Sequence, residues 1–221
     1  LVITNYILEF PGEGLSICVL LHLGDEGKYA EPGDSFLCVG LCGDPGAGCS
    51  AGMKGSEEMK ALVYGAGVIG SYLTHVLCMA GNDVTLLARG SWRETLERDG
   101  LTISHRLQRE TTHDRPRMIG TLDDVHYDLV FAVMQYQQMS ALLDELSQVN
   151  SPLVVLVGNN AAAKGMETYI QAHTAVPKIV LFGFQGTGRR REDGKVLCVR
   201  WGMGSMSIGG VESEPPDGVK Q

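Results

Sequence analysis

From residue 59 onward, short apolar runs alternate with stretches whose apolar positions recur every three or four residues, the signature of strands interleaved with helices. The first run, Lys60-Ala61-Leu62-Val63-Tyr64, enters a glycine turn. The stretch after it puts Ile69, Leu73, Val76, Leu77 and Ala80 on one helical face before Gly81-Asn82 supplies a stop. Val84–Ala88 reads as a buried parallel strand. Ser91-Trp92-Arg93-Glu94 has capping-box spacing and predicts a short helix through Arg98, ended by Asp99-Gly100. Further strands are expected at Leu101–Ile103, Asp128–Met134, Leu153–Val157, Ile179–Phe184, Val196–Trp201 and Met206–Ile208. Leu142, Leu143 and Leu146 mark the inner face of a helix, and Asp193-Gly194 and Gly202–Gly204 mark turns. The polar stretch rich in Arg and Thr before Gly120 carries no predicted element. The alternation predicts an α/β fold, a Rossmann-type doubly wound parallel sheet.

Residues 1–58 follow a different design. They hold eleven of the 29 glycines and no sustained period, although Ile17–Leu21 and Phe36–Val39 could form short strands. Gly43–Ser50 looks like a phosphate loop but lacks the lysine that such a loop needs. Met59 stands where an ordinary start would fall. The expected organisation is therefore a low-order leader or upstream extension over 1–58, a nucleotide-binding domain over 59–210 and a frayed tail over 211–221.

The net charge of −8 is concentrated in the leader, where nine acids face only Lys28 and Lys54; neither part looks built for nucleic acid. No apolar segment approaches the roughly 20 residues that span a bilayer, and no secretory signal is apparent, so the cytoplasm is the expected location and no membrane partner is expected. Among the six cysteines, Cys38, Cys42 and Cys49 form no CxxC pair and His22 is the leader's only histidine, so no metal is assigned. Cys78 and Cys198 fall in a helix and a strand and read as small buried hydrophobes.

The glycine turn carries the first chemical signal. Gly65 would allow a tight turn, Gly67 would let the backbone approach phosphates without a Cβ in the way, and Gly70 would let helix and strand pack closely. The free amides from Ala66 through Val68 and Ile69 would face a dinucleotide pyrophosphate. At the tip of the second strand, an acid would bind a ribose 2′-hydroxyl. This chain has Ala88-Arg89-Gly90-Ser91 instead. Arg89 is either a solvated surface arginine or the partner of a 2′-phosphate, and its place after the fingerprint favours the second role and NADP. Asn159 ends another buried strand, where it either caps the next helix or hydrogen-bonds the nicotinamide ribose and a substrate oxygen.

These features together resemble the N-terminal domain of the ketopantoate reductase (2-dehydropantoate 2-reductase) family. The resemblance runs from Met59 to about Gly210. It is carried by Lys60–Gly70, the Leu86-Leu87-Ala88-Arg89 strand end, Asp128–Met134, Asn159 with its helix, and Gly183–Gly194 leading into Lys195–Gly209. It implies NADPH-dependent reduction of a 2-keto acid, in the family the ketone of 2-dehydropantoate, giving pantoate on the way to coenzyme A. Carried across, Gly65 to Gly70 would hold the pyrophosphate, Arg89 the 2′-phosphate, and Asn159 both ribose and substrate. Two departures follow. Gln135 stands where the family usually has a lysine, keeping a hydrogen bond to the cofactor but no charge. Asn160 replaces a usual glycine, and the small residue expected near the cofactor falls around Gly188 or Arg189.

The resemblance further implies that the general-acid lysine and a substrate-binding glutamate belong to a helical C-terminal domain, and this chain ends at Gln221 before one begins. No catalytic residue is assigned, and little turnover is expected, because the alkoxide left by hydride transfer must gain a proton. Lys164 reads as a solvated helix lysine. The competing reading is a non-catalytic NADP-binding module; a methyltransferase using S-adenosylmethionine is a third class, disfavoured by Arg89. His75, His105, His113, His126 and His173 show no partner pattern and read as structural or solvated; Arg189-Arg190-Arg191 could attract a phosphate but, before Glu192-Asp193-Gly194, reads as an exposed hairpin turn.

Overall fold

The computed structural model describes residues 18–22, 36–40, 59–200 and 206–211. In the leader, β1 (Cys18–His22) pairs antiparallel with β2 (Phe36–Gly40), close to the two short strands expected there. The Gly43–Ser50 segment, Cys42, Cys49, the turn Gly202–Gly204 and the tail from Glu212 lie outside the described residues.

The main sheet grows from five-residue apolar runs: β3 (Lys60–Tyr64), β4 (Asp83–Leu87), β8 (Leu129–Val133) and β9 (Leu153–Val157). With β7 (Arg117–Ile119), β10 (Ile179–Gln185) and β13 (Met206–Gly209) they form seven strands in the order β13-β10-β9-β8-β3-β4-β7. Six run parallel and β13 closes one edge antiparallel. The parallel strands follow the order of a dinucleotide-binding sheet, which reverses between β3 and β8.

Alternation along each strand divides the apolar side chains between two cores. Val63, Leu86, Phe131 and Val155 face α1 (Val68–Met79) on one side, whereas Leu62, Leu87, Val130 and Val154 face the other. That second core is closed by Met139 of α3 (Tyr136–Ser140), Leu146 of α4 (Leu143–Gln148), and Met166 and Ile170 of α5 (Ala163–His173). Burying each such side chain contributes about 1.5–3 kcal/mol, so continuous apolar strands are stable only with both faces covered.

The sequence pattern misses a second sheet. Here β5 (Leu101–His105) and β12 (Lys195–Arg200) pair in parallel, flanked by the antiparallel strands β6 (Glu110–Asp114) and β11 (Thr187–Glu192). Leu101, Ile103, Val196 and Cys198 pack into the core that contains α1, which lies between the two sheets. This is why Gly70 through Leu77 are all buried, not just the predicted stripe.

Four local expectations need correction. The polar stretch before Gly120 contains β6 and β7. The arginine run belongs to β11, and the hairpin turn comes afterwards at Asp193 and Gly194, whose φ values of 49° and 73° suit a two-residue turn. The capping box does not form: α2 (Gly90–Asp99) begins one residue before Ser91, with Arg89 at its N-cap and no side-chain cap. Finally, the histidines do have partners. Buried His75 holds Asp114 at 2.8 Å and its ring lies 5.4 Å from that of His105, which in turn meets Thr112 at 3.0 Å.

Cys198 is fully buried as expected, while Cys78 is half-buried. Burial, with the Asp114 carboxylate adding to it, pushes the Cys78 thiol up to about 12. At pH 8 the reactive thiolate is then a fraction on the order of 10⁻⁴. Brief treatment of the native protein with iodoacetamide at pH 8 should leave the Cys78 peptide unmodified by mass spectrometry, and the same treatment in denaturant should alkylate it fully.

Candidate functional site

The chain leaves β3 and enters α1 through the glycine turn, at the point where the strand order reverses. Gly65 has a φ of 115°, and a Cβ there would stand 2.4 Å from the Val133 carbonyl oxygen. At Gly70 a Cβ would stand 1.8 Å from the Gly65 carbonyl oxygen, so helix and strand touch through this residue. Gly67 differs. A Cβ there would meet no protein atom within 4 Å, and Gly67 lines an open cleft of about 1110 Å³. Gly67 is the N-cap of α1, its carbonyl accepts the Ser71 amide at 2.9 Å, and neither a side-chain cap nor an acid occupies the first turn. The helix start thus presents backbone amides and the positive end of its dipole to the cleft.

Of the residues singled out in the sequence, Gly65, Ala66, Gly67, Val68, Ile69, Arg89, Gln135, Asn159 and Gly188 all border this cleft. Gly70 does not; it works from beneath. Asn159 is exposed at the end of β9 and does not cap α5, whose N-cap, Ala162, has no side-chain cap; Asn160 instead donates to the Leu156 carbonyl at 2.9 Å. Gln135 is the N-cap of α3, and its carbonyl accepts the amides of Gln138 and Met139 at 2.9 Å. Lys164 is exposed, pairs with Glu167 at 3.5 Å and does not border the cleft.

Arg89 is engaged in a way that the sequence did not suggest. Its Nη2 donates to the Tyr64 hydroxyl and lies 3.3 Å from Glu145 Oε2, while the Tyr64 hydroxyl donates to Glu145 Oε2 at 2.7 Å. Burial, reinforced by the Glu145 hydrogen bond, holds the Tyr64 phenol well above its usual range, so it remains a donor at neutral pH. The Arg89 and Glu145 side chains are 54% and 44% exposed. An ion pair so open to water is worth less than about 1 kcal/mol. The guanidinium fork, more than half exposed, is thus only weakly held in this contact.

Trp92, Arg189 and Arg191 border the cleft, although the sequence puts the first in a capping box and the two arginines in an expected hairpin turn. Trp92 of α2 donates its indole N–H to the Ala66 carbonyl at 2.9 Å, and Arg189 and Arg191 reach the cleft from β11. Arg189 does so with a φ of 130°, which no sequence signal marks. Among the described residues that border the cleft there is no lysine, histidine, aspartate or glutamate. No described cluster of His, Cys, Asp and Glu could hold a metal, and no described helix is long and apolar enough to cross a membrane.

A glycine turn at the switch point of a parallel sheet, opening on a large cleft, defines a dinucleotide-type Rossmann fold. Residues 61–213 match the family described as Ketopantoate reductase PanE/ApbA, and the chain belongs to that family. The probable 2-dehydropantoate 2-reductase panE of Bacillus subtilis superposes with a TM-score of 0.56 at 16% identity, over 72% of this chain and 52% of that one. The 2-dehydropantoate 2-reductase of Methylococcus capsulatus gives 0.53 at 18% identity, over 67% and 47%. The ternary structure of D-mandelate dehydrogenase with NADH and anilino(oxo)acetate gives 0.52 at 19% identity, over 68% and 48%. In sequence, the "Uncharacterized oxidoreductase YkpB" of Bacillus subtilis (strain 168) is 30% identical over 88 residues, 40% of this chain and 28% of that protein. The chain thus spans about half the length of these solved structures and less of YkpB.

The turn glycines should separate by experiment. Gly70→Ala should lower Tm by about 6–12 °C, the effect of roughly 3 kcal/mol in a domain of this size. Gly67→Ala should stay within about 1 kcal/mol of the parent in thermal melts yet weaken dinucleotide binding at least about tenfold.

Proposed function

We propose that this chain binds NADPH along the glycine turn and is the coenzyme-binding part of a reductase that acts on a 2-keto acid, as 2-dehydropantoate 2-reductases do. The reading is carried by the uncapped start of α1, with Gly67 open to the cleft at the switch point, in a chain of the ketopantoate reductase family. The roles proposed for the cleft residues follow from position. Gly65 to Gly70 shape the pyrophosphate turn, Arg89 takes the 2′-phosphate, Gln135 contributes a neutral hydrogen bond and Asn159 meets the nicotinamide ribose and the substrate oxygen. Gly188 would let β11 approach the nicotinamide end closely. The proposed coenzyme-binding unit covers 59–210, with 1–58 and 211–221 apart from it.

When bound, NADPH supplies the hydride; the residues of this chain orient it. The proton required by the new alkoxide would have to come from a group of suitable pKa within reach. Among the described cleft residues there is no lysine, histidine or carboxylic acid to give that proton, and the phenol there is that of Tyr136. A chain that left the alkoxide unprotonated would be a module that binds NADP without catalysis, which is the second reading.

Titration followed by nicotinamide fluorescence should show NADPH binding at least about tenfold more tightly than NADH, and added 2-dehydropantoate should drive little NADPH oxidation. Equal binding of the two coenzymes would remove the role given to Arg89, and rapid oxidation would remove the non-catalytic reading.

Glu145 competes for the Arg89 guanidinium in this scheme. Glu145→Gln should tighten NADPH binding by about three- to tenfold and leave NADH unchanged, measured by the same titration.

A further inference from the structure

The two sides of the cleft treat their cations differently. On one side Arg89 is held by Tyr64 and Glu145. On the other, Arg191 extends from β11 and makes no ion pair among the described residues, although its neighbour Arg190 pairs with Glu192 at 2.7 Å. The Arg191 guanidinium carbon lies 5.2 Å from the centre of the Trp92 ring. That ring is itself tied to the glycine turn by the indole hydrogen bond to the Ala66 carbonyl at 2.9 Å. A cation is thereby seated on a platform anchored at the turn. Both residues border the same cleft as Gly65 to Ile69.

The turn supplies neutral backbone donors and no charge, since the first turn of α1, Val68-Ile69-Gly70-Ser71, has no basic residue to offer a diphosphate and His75 is buried against Asp114. A diphosphate carries two negative charges at neutral pH, and the family's lysine after β8 is replaced by Gln135. Guanidinium suits the vacancy in charge: it stacks on aromatic rings while presenting a fork of donors to phosphate oxygens, and it is more weakly hydrated than an ammonium. We propose that Arg191, seated on Trp92, binds the diphosphate of the dinucleotide, and so carries the charge recognition common to NAD and NADP, whereas Arg89 answers only to the 2′-phosphate. This rests on the reading that a dinucleotide lies along the glycine turn.

The test uses isothermal titration with two probes: ADP-ribose, which has the diphosphate but neither 2′-phosphate nor nicotinamide, and NADPH. Arg191→Ala should weaken both by the same factor, about ten- to hundredfold, with the thermal melt unchanged because the side chain is exposed. Arg191→Lys should recover only part of the loss. Arg89→Ala should weaken NADPH and spare ADP-ribose. If Arg191→Ala weakens NADPH alone, or neither probe, the proposal is overturned. Should the parent bind ADP-ribose without preferring NADPH over NADH, the Arg89 reading fails and the Arg191 proposal stands; if it binds neither probe, both fall.

Discussion

The contact on which this fold turns is the one between the Gly70 Cα and the Gly65 carbonyl. Any side chain at either glycine would collide with backbone, whose position is set by β3 and β8 and has nowhere to move. Because the two glycines allow that approach, α1 starts directly above the end of β3 and points its first turn along the sheet crest. The cleft, the uncapped amides and the placement of Trp92 against Ala66 all descend from this geometry. The site is thus a product of backbone packing before any side chain contributes chemistry.

Electrostatics then divides the cleft. An acid usual at the tip of β4 is absent there, yet Glu145 returns one from α4, a different element on the opposite core. It holds Arg89 back against Tyr64, and because both charged groups remain about half in water, the restraint is weak. Charge recognition along the cleft is therefore graded. A loosely held guanidinium sits on one wall, and on the other one rests on an indole with Arg189 beside it in the strand.

Local geometry made much of the fold legible in the sequence. The apolar runs of β3, β4, β8 and β9 are bounded by turn residues, and β9 matches its expected range residue for residue. The turn glycines could be assigned from their spacing, although only Gly65 has a backbone that demands glycine; Gly70 answers to a close approach and Gly67 faces the open cleft. The second sheet was hidden for physical reasons: β6, Glu110-Thr111-Thr112-His113-Asp114, has no buried face, and β11 contains three consecutive arginines. Their strand character comes from pairing with β5 and β12, which a local pattern does not record. The same holds for the site. Nothing near Arg191 in sequence points to Trp92, and nothing near Arg89 points to Glu145. The family assignment, which rested on ordered motifs, was readable; how the cations divide the cleft was not.

The placement of α1 between two sheets has a consequence for biosynthesis. Its outer cover depends on the parallel register of Ile103 with Val196, partners roughly ninety residues apart along the chain. A ribosome making this protein must therefore synthesise almost all of the α/β region before that cover can close. Until then, the apolar flank of α1 has only the first sheet to lean on, which makes the nascent chain a natural client for chaperones that shield hydrophobic surface.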